Sequence, residues 1–164
     1  MLAQTPVQIA WVTRNLDATE AALTGLLGAK KWIRMPSVHF SPDTCTHRGK
    51  PADFVANISL SYAGDMQLEL IEPVSGVGVY SEFLEHSEPG LHHVCVAVQD
   101  EAAFTALCDD VEQRGTPIIT RGTMPGGMHF AYVSAPDAGV PYLEIAYASP
   151  DIQKFYDYVK QEQL

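Results

Sequence analysis

Gly90-Leu91-His92-His93-Val94-Cys95-Val96-Ala97-Val98 decides how the rest of the chain is read. It is strand-like, and two adjacent histidines stand at its entrance. Strands alternate their faces, so His92 and His93 are expected on opposite sides of a sheet, His93 toward a site and His92 toward helices. Downstream, Asp100 can cap a helix from about Glu101 to Arg114, with Gly115 as its stop. Three more strands follow: Pro117 to Arg121, His129 to Val133 after a Gly/Pro turn over Thr123 to Gly127, and Pro141 to Tyr147.

The same order stands upstream. Val7 to Val12 reads as a strand, and Ala18 to Leu27 as a helix capped by Asn15 or Asp17 and stopped at Gly28. Lys31 to Met35, Phe54 to Tyr62 and Met66 to Glu72 are strands, with Ala63 to Asp65 as a turn and Pro73 expected to end the last of them. Ser37 to Asp53 is polar and carries two prolines; it is expected to be a long loop or ragged hairpin acting as a lid or pocket wall. A connecting helix is expected at about 79–86. Another at 151–163, opened by Pro150, has an apolar stripe of Ile152, Phe155, Tyr156 and Val159 that should pack against the domain or a twin subunit.

This duplication predicts an α+β fold: one domain over 1–164 built from two βαβββ modules, 5–73 and 90–148, sharing one curved mixed sheet. Val7-Gln8-Ile9-Ala10 corresponds to His92-His93-Val94-Cys95, and Leu68-Glu69-Leu70 to Leu143-Glu144-Ile145. The pseudo-twofold therefore matches four positions: Gln8, Glu69, His93 and Glu144. Each is polar among apolar strand neighbours, so alternation turns all four away from the helices and, on a curved sheet, toward one cleft. Trp11, by the same parity, should face the helices.

Composition sets limits. The chain is 164 residues long and 46% hydrophobic, enough to bury a core without disulfide staples. No apolar run approaches the ~20 residues of a membrane span, and the N-terminal stretch from Met1 to Pro6 lacks the regions of an export signal. Three cysteines, Cys45, Cys95 and Cys108, without CxxC spacing fit a reducing cytoplasm and no cysteine zinc site. The net charge of −10 argues against nucleic-acid or anionic-membrane partners. Residues 1–50 nevertheless hold six Lys/Arg against three Asp/Glu, a local excess that either holds one small anion or is scattered and solvated.

Two carboxylates, an imidazole and an amide converging in a cleft are costly to bury without a cation. One nitrogen and three oxygens suit a single divalent Zn, Ni, Co, Mn or Fe with positions left open. The alternative, that these are solvated or mutually hydrogen-bonded strand residues, accounts for the same pattern. His129 and Tyr132, on the neighbouring strand, are candidates for contact with a substrate.

Gln8-Ile9-Ala10, Leu68-Glu69-Leu70-Ile71-Glu72-Pro73, Gly90-Leu91-His92-His93-Val94 and Leu143-Glu144-Ile145 resemble the vicinal-oxygen-chelate superfamily, over about residues 5 to 148. That group includes glyoxalase I, methylmalonyl-CoA epimerase, extradiol dioxygenases and bleomycin-resistance proteins. The resemblance implies a metal held by Gln8, Glu69, His93 and Glu144, and an isomerase, epimerase or lyase that abstracts a proton next to a carbonyl. Glu144 is then the first choice for general base, with Glu69 as its opposite-face partner. A small-molecule substrate, such as an acyl-CoA or oxoacid derivative, and a homodimer are implied as well. A lactoylglutathione lyase and a metal-free binding or resistance protein are the other readings. An extradiol dioxygenase fits poorly because Gln8 stands where its chemistry needs a histidine.

Overall fold

The computed structural model describes residues 4–164. Met1 to Ala3, part of the stretch read as lacking an export signal, lie outside the described residues. The first module consists of β1 (Pro6–Val12), α1 (Leu16–Leu27), β2 (Ile33–Phe40), then short β3 (Cys45–His47) and β4 (Lys50–Pro51), then β5 (Asp53–Ala63) and β6 (Met66–Val77). A connecting helix, α2 (Val79–His86), leads into β7 (Gly90–Ala97), α3 (Glu101–Gln113), β8 (Ile118–Met124), β9 (Met128–Ser134) and β10 (Tyr142–Tyr147). The last element is α4 (Pro150–Gln161). Asn15, Asp100 and Ser149 cap α1, α3 and α4, each side chain accepting from a backbone N–H of the first turn, about 1 kcal/mol apiece.

All ten strands form one mixed sheet, ordered β2-β5-β6-β1-β7-β10-β9-β8-β3-β4. Read outward from the β1/β7 seam the two modules have the same order, with β1 parallel to β6 and β7 parallel to β10. The seam itself is antiparallel, as a pseudo-twofold requires. One face of the sheet packs on the outer helices. Leu70, Trp11 and Trp32 lie with Leu16 and Leu23 of α1, while Val96, Val133 and Ile145 lie with Phe104, Cys108 and Val111 of α3. The concave face carries the largest cluster, including Phe40, Phe54, Ile58, Leu60, Tyr80 and Phe130. The described residues include no helix long and apolar enough to cross a membrane.

The structure amends three expectations. Of the two alternatives for residues 37–53, the ragged hairpin and pocket wall hold and the long loop does not: β2 extends to Phe40, with Val38, His39 and Phe40 lining the cavity on the concave face, and β3 pairs antiparallel with β4. Unforeseen is that β3 crosses to the other module to pair with β8, Cys45 opposite Gly122 and His47 opposite Thr120. His47 fastens that seam, its Nδ1 2.8 Å from Thr120 Oγ1 and its Nε2 2.8 Å from Glu82 of α2. Pro73 does not end β6, which runs on to Val77. The Ile71 carbonyl faces β1 and accepts from Thr13 N–H, so Pro73, two residues on, turns its missing N–H to the same side, past the end of β1.

The third correction concerns His92. Ala10 pairs with His93 and Trp11 with Leu91, so His92 is the extra residue of a β-bulge. Alternation breaks there, and both histidines point inward, with Nδ1 atoms 2.9 Å apart. His92 does touch a helix, through Phe83 and Tyr80 of α2, but from within the concave core and not across the sheet.

Candidate metal centre

Gln8 from β1, Glu69 from β6, His93 from β7 and Glu144 from β10 meet on the concave face, as their matched positions required. His93 Nε2 lies 2.7 Å from Glu144 Oε2, 3.2 Å from Gln8 Oε1 and 3.4 Å from Glu69 Oε2. The ligand atoms of Glu69, His93 and Glu144 all fall within 4.8 Å of one another. Three oxygen acceptors thus crowd one ring nitrogen, which has a single proton to give. That donor set suits a divalent cation better than it suits a hydrogen-bond network.

Gln8 is oriented from behind. Gln8 Nε2 donates to Gln67 Oε1 at 2.6 Å, and Gln67 Nε2 donates to the Tyr62 hydroxyl at 3.0 Å. With its amide nitrogen engaged, Gln8 turns its oxygen to the centre. Sequence reading overlooked Gln67; its position two residues before Glu69, on the same strand face, was the available signal.

His92 fixes the ring of His93. Burial, and His93 beside it, hold its pKa well below the ordinary histidine value, so it is neutral; the Val79 backbone offers some relief without making a hydrogen bond of ordinary geometry. A neutral His92 with its proton on Nε2 accepts from His93 Nδ1–H and leaves His93 Nε2 free to ligate. His92 Nε2 then has no hydrogen-bond partner among the described residues, the cost of this arrangement. Replacing His92 by phenylalanine is expected to weaken zinc binding roughly 10–100-fold, read by competition with a chromogenic chelator.

Without a cation the centre behaves as a buried ion-pair cluster. Burial opposes a charged His93, but Glu144 and Glu69 outweigh it and raise its pKa to about 9. Burial also raises Glu69, an effect partly offset by His93 and reinforced by Glu144. His93 is thus raised above its unfolded value, so its ion pairing stabilises the metal-free protein below pH ~6.5 and is lost as pH climbs through about 9. A metal must displace that proton. Zinc uptake at pH 7 should release ~1 proton, and apparent affinity should rise about tenfold per pH unit toward 9. Calorimetry in buffers of different ionisation enthalpy reads both.

The centre opens on a cavity of about 340 Å³, walled by Glu69, Glu144 and Tyr132 together with mostly apolar side chains. Ile152, Phe155 and Tyr156 of α4 form its roof, and Val159 is fully buried beneath the same helix. The α4 stripe therefore packs on its own domain, over the cleft. Tyr156 donates to Met128 Sδ at 3.4 Å. Burial, with Glu69 and Glu144 adding to it, keeps its hydroxyl protonated.

Tyr132 faces the cavity and shares a 2.5 Å hydrogen bond with Tyr80. His129 does not join it. Three residues along a strand reverse the face, and His129 sits toward α3 beside Phe104, Glu101 and Tyr147. Of the six basic residues of the first fifty, three are paired, Arg34 with Glu20 and Asp17, Lys31 with Glu162, and Arg48 with Glu82, while Arg14 and Arg34 line one shallow pocket beside β2.

Fold and centre together define a paired βαβββ cleft protein with four matched polar positions at the seam of its halves. A family model described as the Glyoxalase/Bleomycin resistance protein/Dioxygenase superfamily matches residues 7–132, and the chain belongs to that superfamily. No curated protein matches the sequence. Among solved structures, methylmalonyl-CoA epimerase from Mycobacterium tuberculosis is similar at a TM-score of 0.63 and 18% identity, covering 94% of this chain and 97% of that one. A hypothetical protein from Bacillus halodurans C-125 gives 0.59 at 17% identity, covering 90% and 96%. The Streptomyces coelicolor methylmalonyl-CoA epimerase in complex with 2-nitronate-propionyl-CoA gives 0.58 at 15%, covering 90% and 99%. At these identities the likeness carries the fold, and function has to be argued from the site.

Proposed function

We propose that this chain is a divalent-metal-dependent isomerase or epimerase that moves a proton next to the carbonyl of a small molecule. One observation carries the reading: two carboxylate oxygens and an amide oxygen converge on His93 Nε2 at the wall of an apolar cavity. Gln8, Glu69, His93 and Glu144 would hold the cation. When bound, it supplies Lewis-acid polarisation of the substrate carbonyl, which acidifies the neighbouring C–H.

The protein's own groups do the proton transfer. We assign the base to Glu69 and the opposite-face partner to Glu144, the reverse of the order taken from the resemblance. Glu69 makes the looser contact with His93, 3.4 Å against 2.7 Å, and burial raises its pKa toward the working range of a base. Tyr132 and Tyr156, protonated and facing the same cavity, can donate to a substrate oxygen. The α4 roof excludes water from the reacting carbon.

Deuterium exchange at the α-carbon of candidate carbonyl compounds, followed by NMR with zinc-, cobalt- or nickel-loaded protein, tests the reading. Exchange above the buffer rate supports it; none across a panel of carbonyl compounds counts against it. The competing reading is a metal-free binding protein. The apolar cavity favours it, with Phe40, Phe130 and Phe155 in its wall; Trp11 and Trp32 pack beside α1. A lactoylglutathione lyase would use the same acid–base pair on a glutathione adduct. A cytoplasmic homodimer belongs to the same proposal; free, buried Cys45, Cys95 and Cys108 fit the compartment, and light scattering reads the oligomeric state.

A further inference from the structure

We infer that the cleft takes a compact carbonyl compound with an apolar body, enclosed whole beneath α4, and not a ligand carrying a coenzyme A or other polyphosphate handle. This rests on the proposed proton-transfer reading for the reacting end of the ligand, and on separate observations for its body.

The first observation is the wall. Away from Glu69 and Glu144 the cavity is lined chiefly by Met35, Phe40, Leu60, Met124, Phe130 and Phe155, and by no lysine or arginine. Its single histidine, His39, has its Nε2 2.7 Å from Asp53. Three methionines among aromatic rings make a polarizable, adaptable surface suited to an aromatic or branched aliphatic group. Phosphates need charge-assisted donors, which this wall lacks.

Size and closure are the second. About 340 Å³ stands at the small end of ligand pockets, roughly 300–1,000 Å³. The roof is built in. The far end of α4 is tied down by Lys160 to Asp65 at 2.6 Å and by Gln163, whose amide bonds the backbone of Lys30 and Lys31. At its near end Gly126 and Gly127, both with φ near +90°, let the β8–β9 turn approach closely; a Cβ on either would stand 3.0 Å from Ile152 or Ser149. A tail leaving on this side would have to lift the helix, and at the exposed side, beside His39 and Pro125, the lining offers no lysine or arginine.

Charge outside the cavity is the third. Arg34, Lys31, Arg48 and Lys160 are each paired with a carboxylate, and residues 51–164 carry seventeen Asp/Glu against four Lys/Arg. The four paired cations are therefore already engaged, and the overall field of a chain with net charge −10 disfavours a polyphosphate.

The test is calorimetric binding of 1-phenylpropane-1,2-dione, a neutral vicinal dione, and of methylmalonyl-CoA to metal-free and zinc-loaded protein. The dione is expected to bind one-to-one and at least tenfold more tightly than methylmalonyl-CoA. Phe155→Glu should weaken the dione at least tenfold while Phe155→Leu stays within about threefold, circular dichroism confirming that both fold. Tighter binding of methylmalonyl-CoA, or no effect of Phe155→Glu, overturns the inference. Metal content read on the same samples separates the two readings. Dione binding without metal uptake sustains the apolar ligand class and removes the metal-dependent mechanism. Metal uptake with no dione binding removes the ligand class alone.

Discussion

Glu69→Gln is expected to lower α-proton exchange about a thousandfold, within the 10²–10⁴ that a positioned base contributes, while leaving metal content nearly intact. The amide keeps an oxygen for the cation, as Gln8 would on the neighbouring strand β1, but cannot accept the proton. Glu144→Ala should behave differently. Its carboxylate is the tightest contact of His93, at 2.7 Å, and is nearly buried, so its loss should strip the metal as well as the activity. Metal analysis and exchange kinetics on the two variants separate ligand from base. If Glu69→Gln retained full activity, the base would have to be Glu144.

The second large effect is expected far from the centre. Gly122 of β8 faces Cys45 of β3 where the short first-module strand clips onto the second module. A Cβ at Gly122 would meet Cys45 Sγ at 2.5 Å, Thr44 O at 3.0 Å and Cys45 Cα at 3.1 Å. Two of those atoms are backbone and cannot rotate away, so the seam must shift. Gly122→Val should cost about 3 kcal/mol by overpacking, lowering Tm by roughly 6–12 °C for a chain of this size. Thermal denaturation reads it. Because β3, through His47, also braces Glu82 of α2 and Thr120, the loss should be cooperative and not a local fraying.

Where the sequence was legible, it was because period-two alternation survived folding. Gln8, Glu69 and Glu144 point inward and Leu70, Trp11 and Ile145 outward because β1 pairs with β6, and β10 with β7, without slips at those residues. The match between the two halves then picked out four positions whose side chains meet in the cleft, with no local motif to help. His92 escaped the same logic because a bulge is a property of the pairing between two strands, here Ala10/Trp11 against His93/Leu91, and leaves no mark in either strand alone. The crossing of β3 to β8 was hidden likewise: three residues, Cys45 to His47, carry too little periodicity to announce a strand, and their partner lies more than seventy positions away. Pro73 argued for a strand end because its missing N–H counts only where a neighbour waits for it, and β1 stops short of it.

The α4 stripe was visible as an apolar face, but periodicity names a buried face without naming what it covers. Its place over the cleft depends on Gly126, Gly127 and the Gln163 and Lys160 tethers. Gln67 escaped for the same reason: its importance lies in what it touches. His129 was paired with Tyr132 by strand, although an odd spacing of three sends the two to opposite faces.

The most direct test of a metal centre at the module seam is elemental analysis of protein purified without a histidine tag or added metal, followed by zinc, cobalt and nickel titration. Near-stoichiometric divalent metal, falling in Glu144→Ala, is the expected result. Protein that arrives metal-free and takes up none of the three would contradict it, and would leave the oxygens around His93 as a buried ion-pair cluster in the wall of a binding cavity.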